Sequence, residues 1–228
     1  MPFSADAERI ARDAMLAVRP ELADQYSLLV RFLATQPSIA SSARGGGRPE
    51  IGTAEYIRHQ ASLFAGSRNP KAPQAPQTIP DKMVSVILEQ YFDIPSASLE
   101  RAKNEHQLSM GAENLVGELL ERYLASVMEP LGWVWCSGAM VRAVDFVKPP
   151  EGKNPWRLLQ VKNRDNSENS SSSAIRGGTE IEKWFRTFSR TGKTNWEAFP
   201  CEVSNKSLTE KNFETFVRNY LDSIKLIS

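Results

Sequence analysis

The hydrophobic period of the chain changes at Gly132, and that change limits the folds open to it. From Ser109 to Pro130, Leu115, Leu119, Tyr123 and Val127 form one apolar stripe at helical spacing. Beyond Gly132 come three short runs, Trp133–Cys136, Met140–Val147 and Trp156–Lys162. They are rich in Val, Trp and Leu and bounded by Gly or Pro, as strands are. Further on, Glu180–Ser189 reads as a helix, Phe199–Val203 as a strand, and Thr209 to about Lys225 as a closing helix. A helix, a strand meander and then helix and strand predict an α/β (α+β) domain around a mixed sheet flanked by helices.

The N-terminal part keeps the helical period. Residues 4–35 carry Ile10, Met15, Leu22, Leu29 and Phe32 at helix-like intervals, and Pro20 starts a second segment. Thr53–Phe64 and Asp81–Tyr91 read as two more helices, the latter with Asp81 as N-cap. SSARGGGRP at 41–49 reads as a loop, and Gly66–Pro80 has too many prolines for regular structure. The expected organisation is a mainly helical region over 1–105 and a core over 106–228, packed as one unit.

Several function classes drop out. No apolar run approaches the roughly 18 residues of a membrane span. Charges throughout Met1–Val18 break up any secretion signal, so a cytoplasmic protein is expected. Two cysteines, Cys136 and Cys201, with His59 and His106, are too few for a disulfide framework or an ordinary structural zinc site. The GGG at 45–47 lacks the Lys-Ser/Thr of a phosphate loop. The formal net charge of +1 is uninformative, but from Lys148 to Lys193 ten Lys/Arg stand against five acids. Such a local surplus suits phosphate binding.

The chemistry concentrates near one acid. Asp145 sits in the apolar run AVDFV, where an ionised carboxylate is costly unless paired or metal-bound. Gln160 and Lys162, two apart in LLQVKNR, share one face of a strand. PPEGKNP between the runs serves as a turn, so a hairpin would bring Asp145 beside both. Oxygen donors suit Mg²⁺, and a lysine there orients water and stabilises charge building on a phosphate. A further acid is needed, and the preceding helix offers Glu118 and Glu121.

A helix glutamate followed by D-x₁₄-Q-x-K resembles the PD-(D/E)XK nucleases, with Gln160 where an acid usually sits. The resemblance implies metal binding by Asp145, Gln160 and Glu121 (or Glu118), with Lys162 assisting the nucleophile. The stretch VKNRDNSENSSSSAIRGGTEIEKWFRTFSRTGKTNWEAFP looks like the SinI-type restriction endonucleases. That family implies a Mg²⁺-dependent homodimer cutting double-stranded DNA at GGWCC, paired with a cognate DNA methyltransferase. Arg164, Asp165, Asn166, Glu168, Asn169 and Arg176 hold the groups that read base edges. Ser170 and its serine neighbours, Arg186, Lys193 and Asn195 are candidates for the DNA backbone. Trp184, Phe185 and Phe188 read as core anchors. A repair or recombination nuclease of the same fold, or a DNA-binding relative without catalysis, remains open at this point.

Overall fold

The computed structural model describes residues 3–42, 48–165, 181–200 and 207–226. Three helices open the chain: α1 (Ala7–Val18), α2 (Ala23–Thr35) and α3 (Ala54–Gly66). Helix α1 buries Ala7, Ala11 and Met15, one residue per turn on a single stripe. Pro20 starts the 3₁₀ turn that leads into α2, its fixed φ suiting a first-turn position. Thr53 caps α3 by accepting the Tyr56 N–H at 3.1 Å. The Tyr26 hydroxyl donates to the Ile57 carbonyl at 2.5 Å, tying α2 to α3 with no buried polar atom left over at that contact.

Residues 70–80 run without regular structure, as the prolines require. Helix α4 (Lys82–Gln90) is capped by Asp81, which accepts the Met83 N–H at 2.8 Å. The long helix α5 (Leu99–Met128) begins ten residues before the expected start at Ser109. The added turns, LERAKNEHQL, are strong helix formers and carry an Arg101–Glu105 pair at 2.7 Å. Gly111 lies inside α5 because a Cβ there would come within 2.6 Å of the Gln74 carbonyl, where the proline-rich segment crosses the helix. Helix α6 (Glu210–Lys225), capped by Thr209, matches the expected C-terminal helix.

Four strands form one sheet in the order β1 (Val134–Trp135), β2 (Phe146–Lys148), β3 (Arg157–Arg164), β4 (Ile181–Thr187). The first two pairings are antiparallel and the third is parallel, so the sheet is mixed. The expected strand over Met140–Val147 shrinks to its end. Gly138, Ala139 and Ala143 all adopt positive φ, which no strand sustains.

The helix expected over Glu180–Ser189 is overturned: Ile181–Thr187 is a strand. Ile181, Trp184, Phe185 and Phe188 fit helical spacing, so periodicity misled. The backbone edge of β3 decided otherwise, pairing with β4 from Leu158↔Ile181 to Arg164↔Thr187. Of the strand expected over Phe199–Val203, Phe199 and Pro200 are irregular and the rest lies outside the described residues.

The sheet separates two cores. Tyr26, Phe32, Tyr56 and Phe64 from the N-terminal helices pack with Val134, Val147 and Leu158 on one face. Leu120, Tyr123 and Leu124 of α5 pack with Phe146, Leu159, Val161 and Trp184 on the other, joined by Phe213 of α6. Position 105 falls within α5, and the first core draws residues from both sides of it. Among the described residues no helix is long and apolar enough to cross a membrane.

Candidate active site

Asp145 immediately precedes β2 and is fixed by its own backbone. Its N–H donates to the Leu159 carbonyl at 2.9 Å, and its carbonyl accepts the Cys136 N–H at 2.8 Å. Its carboxylate Oδ2 accepts the Val161 N–H at 2.7 Å, standing in for a ladder bond that the β2 backbone does not make. The side chain is thereby aimed along β3. The pairing Phe146↔Leu159 ends the register next to Asp145, and Gln160, the following residue of β3, is 8% exposed. Lys162, half-buried two residues on, bears electrostatically on the Asp145 carboxylate.

The second carboxylate comes from α5. Glu121 Oε2 accepts the Trp135 indole N–H at 2.8 Å. Burial raises its pKa to about 8, and the negative charge of Asp145 adds to the rise. Burial also raises Asp145, to about 6, against the opposing pull of the Val161 N–H and the Lys162 ammonium. Glu118, one turn earlier, is engaged differently. It pairs with Arg122 at 2.6 Å and with Lys71 at 3.4 Å. The fold therefore brings Glu121, rather than Glu118, into electrostatic contact with Asp145.

Asp145, Glu121 and Glu118 line a cleft of about 640 Å³ beside α5, whose walls also include Lys71, Asn114 and Trp135. Two carboxylates that repel one another and resist ionisation are the environment a divalent cation relieves. The donors are all oxygen, which suits a hard ion such as Mg²⁺. Among the described residues no group of three or more His, Cys, Asp or Glu is placed to hold a metal ion by itself. Further oxygen donors would have to come from an amide such as Gln160, from water or from a bound phosphate.

The remaining candidates divide. Asp165 follows β3 and accepts the Ser189 N–H at 2.7 Å; hydrogen bonding from the Ser189 side chain first, and from its N–H, holds the carboxyl below the usual range. Arg164 and Lys193 are exposed, the latter on the turn that follows β4. Arg186 faces inward, paired with Glu210, donating to Asn163 Oδ1 at 2.9 Å and lying 5.1 Å over the Phe213 ring. The Asn195 side-chain amide donates to the Phe185 carbonyl at 3.1 Å, and the Asn195 backbone carbonyl accepts the Trp184 indole N–H at 2.9 Å. Asn166, Glu168, Asn169, Ser170 and Arg176 lie outside the described residues. Trp184 is buried as expected of a core anchor, whereas Phe188 is 37% exposed and packs edge to face on Phe185. Cys136 is buried, and burial pushes its thiol up; Cys201 lies outside the described residues.

Sequence reasoning missed the frame behind the site. Arg122 donates to the carbonyls of Ser67, Arg68 and Asn69 at 2.7 to 2.8 Å, pinning that turn to α5. Arg68 forms a two-pronged pair with Glu129 at 2.7 and 3.0 Å and lies 5.1 Å over the Trp135 ring. Trp135, flanked by both arginines, then orients Glu121. The one hint in the sequence was a tryptophan in a buried strand, whose N–H must find an acceptor.

A family model described as SinI restriction endonuclease matches residues 7–223. The Type II restriction enzyme SinI of Salmonella infantis is 53% identical over 224 residues, covering 98% of this chain and 97% of that protein. The Type II restriction enzyme Eco47I of Escherichia coli is 51% identical over 223 residues, covering 97% of each.

Proposed function

The chain belongs to the SinI restriction endonuclease family, and from that premise we propose how its cleft performs Type II, site-specific hydrolysis of double-stranded DNA. The observation that carries this reading is that buried Asp145 and Glu121 line one cleft and bear electrostatically on each other, with Lys162 acting on Asp145 as well. Asp145 and Glu121 would hold Mg²⁺, and the Gln160 amide oxygen would complete the protein's donor set. Such an ion, when bound, would supply the positive charge that neutralises the scissile phosphate and acidifies nearby water. Lys162 orients the attacking water and stabilises the charge that grows on phosphorus. Trp135 holds Glu121 in place through its indole N–H. Glu118, tied to Arg122 and Lys71, shapes the same wall.

Sequence reading falls to the segment that follows β3. Arg164 and Asp165, with Asn166, Glu168, Asn169 and Arg176, contact base edges of a GGWCC-like site, and Ser170 and Lys193 contact phosphates. A palindromic site suits a homodimer, and a cognate DNA methyltransferase would protect the same sites in the host's own DNA in the cytoplasm. The 1–105 region and the 106–228 core act as one unit across the shared sheet.

The test is digestion of long duplex DNA in Mg²⁺. Discrete fragments ending at one short palindrome are expected, with Asp145→Ala and Lys162→Ala folded but inactive. Parental cleavage by Asp145→Ala would sink the site assignment. Tight binding without cutting in either Mg²⁺ or Mn²⁺ would refute the catalytic reading.

A further inference from the structure

Residues 79–110 form an apolar arm that the rest of the described chain does not cover. Helix α4 has only nine residues, and none of them is buried. A helix of that length is marginal on its own, since most helical stability comes from packing one face. Yet Ile79 is 94% exposed and Tyr91 77%, and Met83, Ile87, Phe92 and Leu108 are open as well. Tyr91 and Phe92 stand edge to face at 5.0 Å between ring centroids, at the exposed end of α4. Beside them, Val84, Leu88, Ala102 and Met110 line a groove of about 460 Å³ between α4 and the first turns of α5.

The geometry points to this arm as the surface that takes a second copy of the same chain. This rests on the nuclease reading above, which calls for a two-fold protein but does not say which face pairs. Three observations choose the occupant. The six residues named first present on the order of 800 Å² of accessible surface, close to what each partner gives a stable interface. The segment holds five acids and three bases, so neither DNA nor an anionic membrane suits it. It also offers both an aromatic knob and an apolar groove, the self-complementary pair that a two-fold contact needs. Leu108 and Glu121 lie on one continuous helix about 20 Å apart. Pairing at the arm therefore fixes the two catalytic clefts relative to each other through α5.

Light scattering on the full chain at micromolar concentration tests the assignment. The parent is expected at twice its 25.5 kDa. Ile87→Glu should raise the dimer dissociation constant about 100-fold or more, with an unchanged far-ultraviolet dichroism spectrum. Tyr91→Glu, just past the end of α4, should do the same without altering the helix itself. Leu16→Glu, on an exposed part of α1, should leave the dimer intact. A monomeric parent, or two arm variants as dimeric as the parent, overturns the proposal. Asp145→Ala separates the two readings, since it should stay dimeric while failing to cut. A parent that does not cut but is split by Ile87→Glu would sink the nuclease reading and leave the arm assignment standing.

Discussion

Replacing Glu121 by Gln should stabilise the metal-free protein at alkaline pH while abolishing cleavage. In the folded state the Glu121 carboxyl titrates at about 8, against 4.5 ordinarily, because burial and the Asp145 charge both disfavour its ionised form. Below the ordinary value the carboxyl is protonated in both states and folding is not penalised. As pH rises from there to about 8, the unfolded chain releases this proton more readily, so stability falls throughout that window. The whole shift would correspond to about 5 kcal/mol at roughly 1.4 kcal/mol per pH unit. Glu121 opens onto the cleft, and solvent screening reduces this to about 1–3 kcal/mol. Gln keeps an oxygen for the Trp135 indole and never ionises, so it escapes the penalty. For a chain of this size the gain is roughly 3–10 °C in Tm near pH 8 in a chelator, falling to nothing near pH 5. Thermal melts of parent and Glu121→Gln across that range read the difference directly. Mg²⁺ should raise the parent's Tm and not the variant's. A variant that melts at or below the parent at pH 8 would refute the claim that Glu121 is buried against Asp145.

Three further outcomes follow from the geometry. Arg68→Ala leaves Glu129 and the Trp135 carbonyl without their buried partner and should cost about 3–5 kcal/mol in urea unfolding, with cleavage reduced as Glu121 loses its orientation. Gly138→Ala places a Cβ 3.0 Å from the Leu63 carbonyl at a φ of +86°, and should cost about 1–3 kcal/mol by the same assay. Gln160→Glu adds a third acid on the strand beside Asp145; it should lower the metal-free Tm at pH 8 yet keep cleavage in Mg²⁺, and lost cleavage would argue that residue 160 does not face the cation.

The candidate site stood out before the fold because its residues are picked by short-range rules. Asp145 stood out as a charge in an apolar run, and Gln160 and Lys162 paired through strand alternation. Choosing between Glu118 and Glu121 needed contacts that sequence spacing does not carry. Both lie within the same amphipathic stretch of α5, and only Trp135, Arg122 and Lys71 separate their roles. Arg186 and Asn195 looked like DNA contacts by residue type, while their partners turned out to be Glu210, Asn163 and the Phe185 carbonyl.

The linear sequence settled what depends on neighbours within a few residues: the N-terminal helices and their Pro20 and Thr53 starts, the irregular proline-rich crossing, and the hairpin that carries the acid, amide and amine. Tertiary structure alone decided what depends on distant partners. Whether Ile181–Thr187 became helix or strand turned on the open edge of β3, because unpaired backbone groups there had to be satisfied. Which glutamate meets Asp145 turned on how α5 lies across the sheet, because like charges share a site only when packing forces them together.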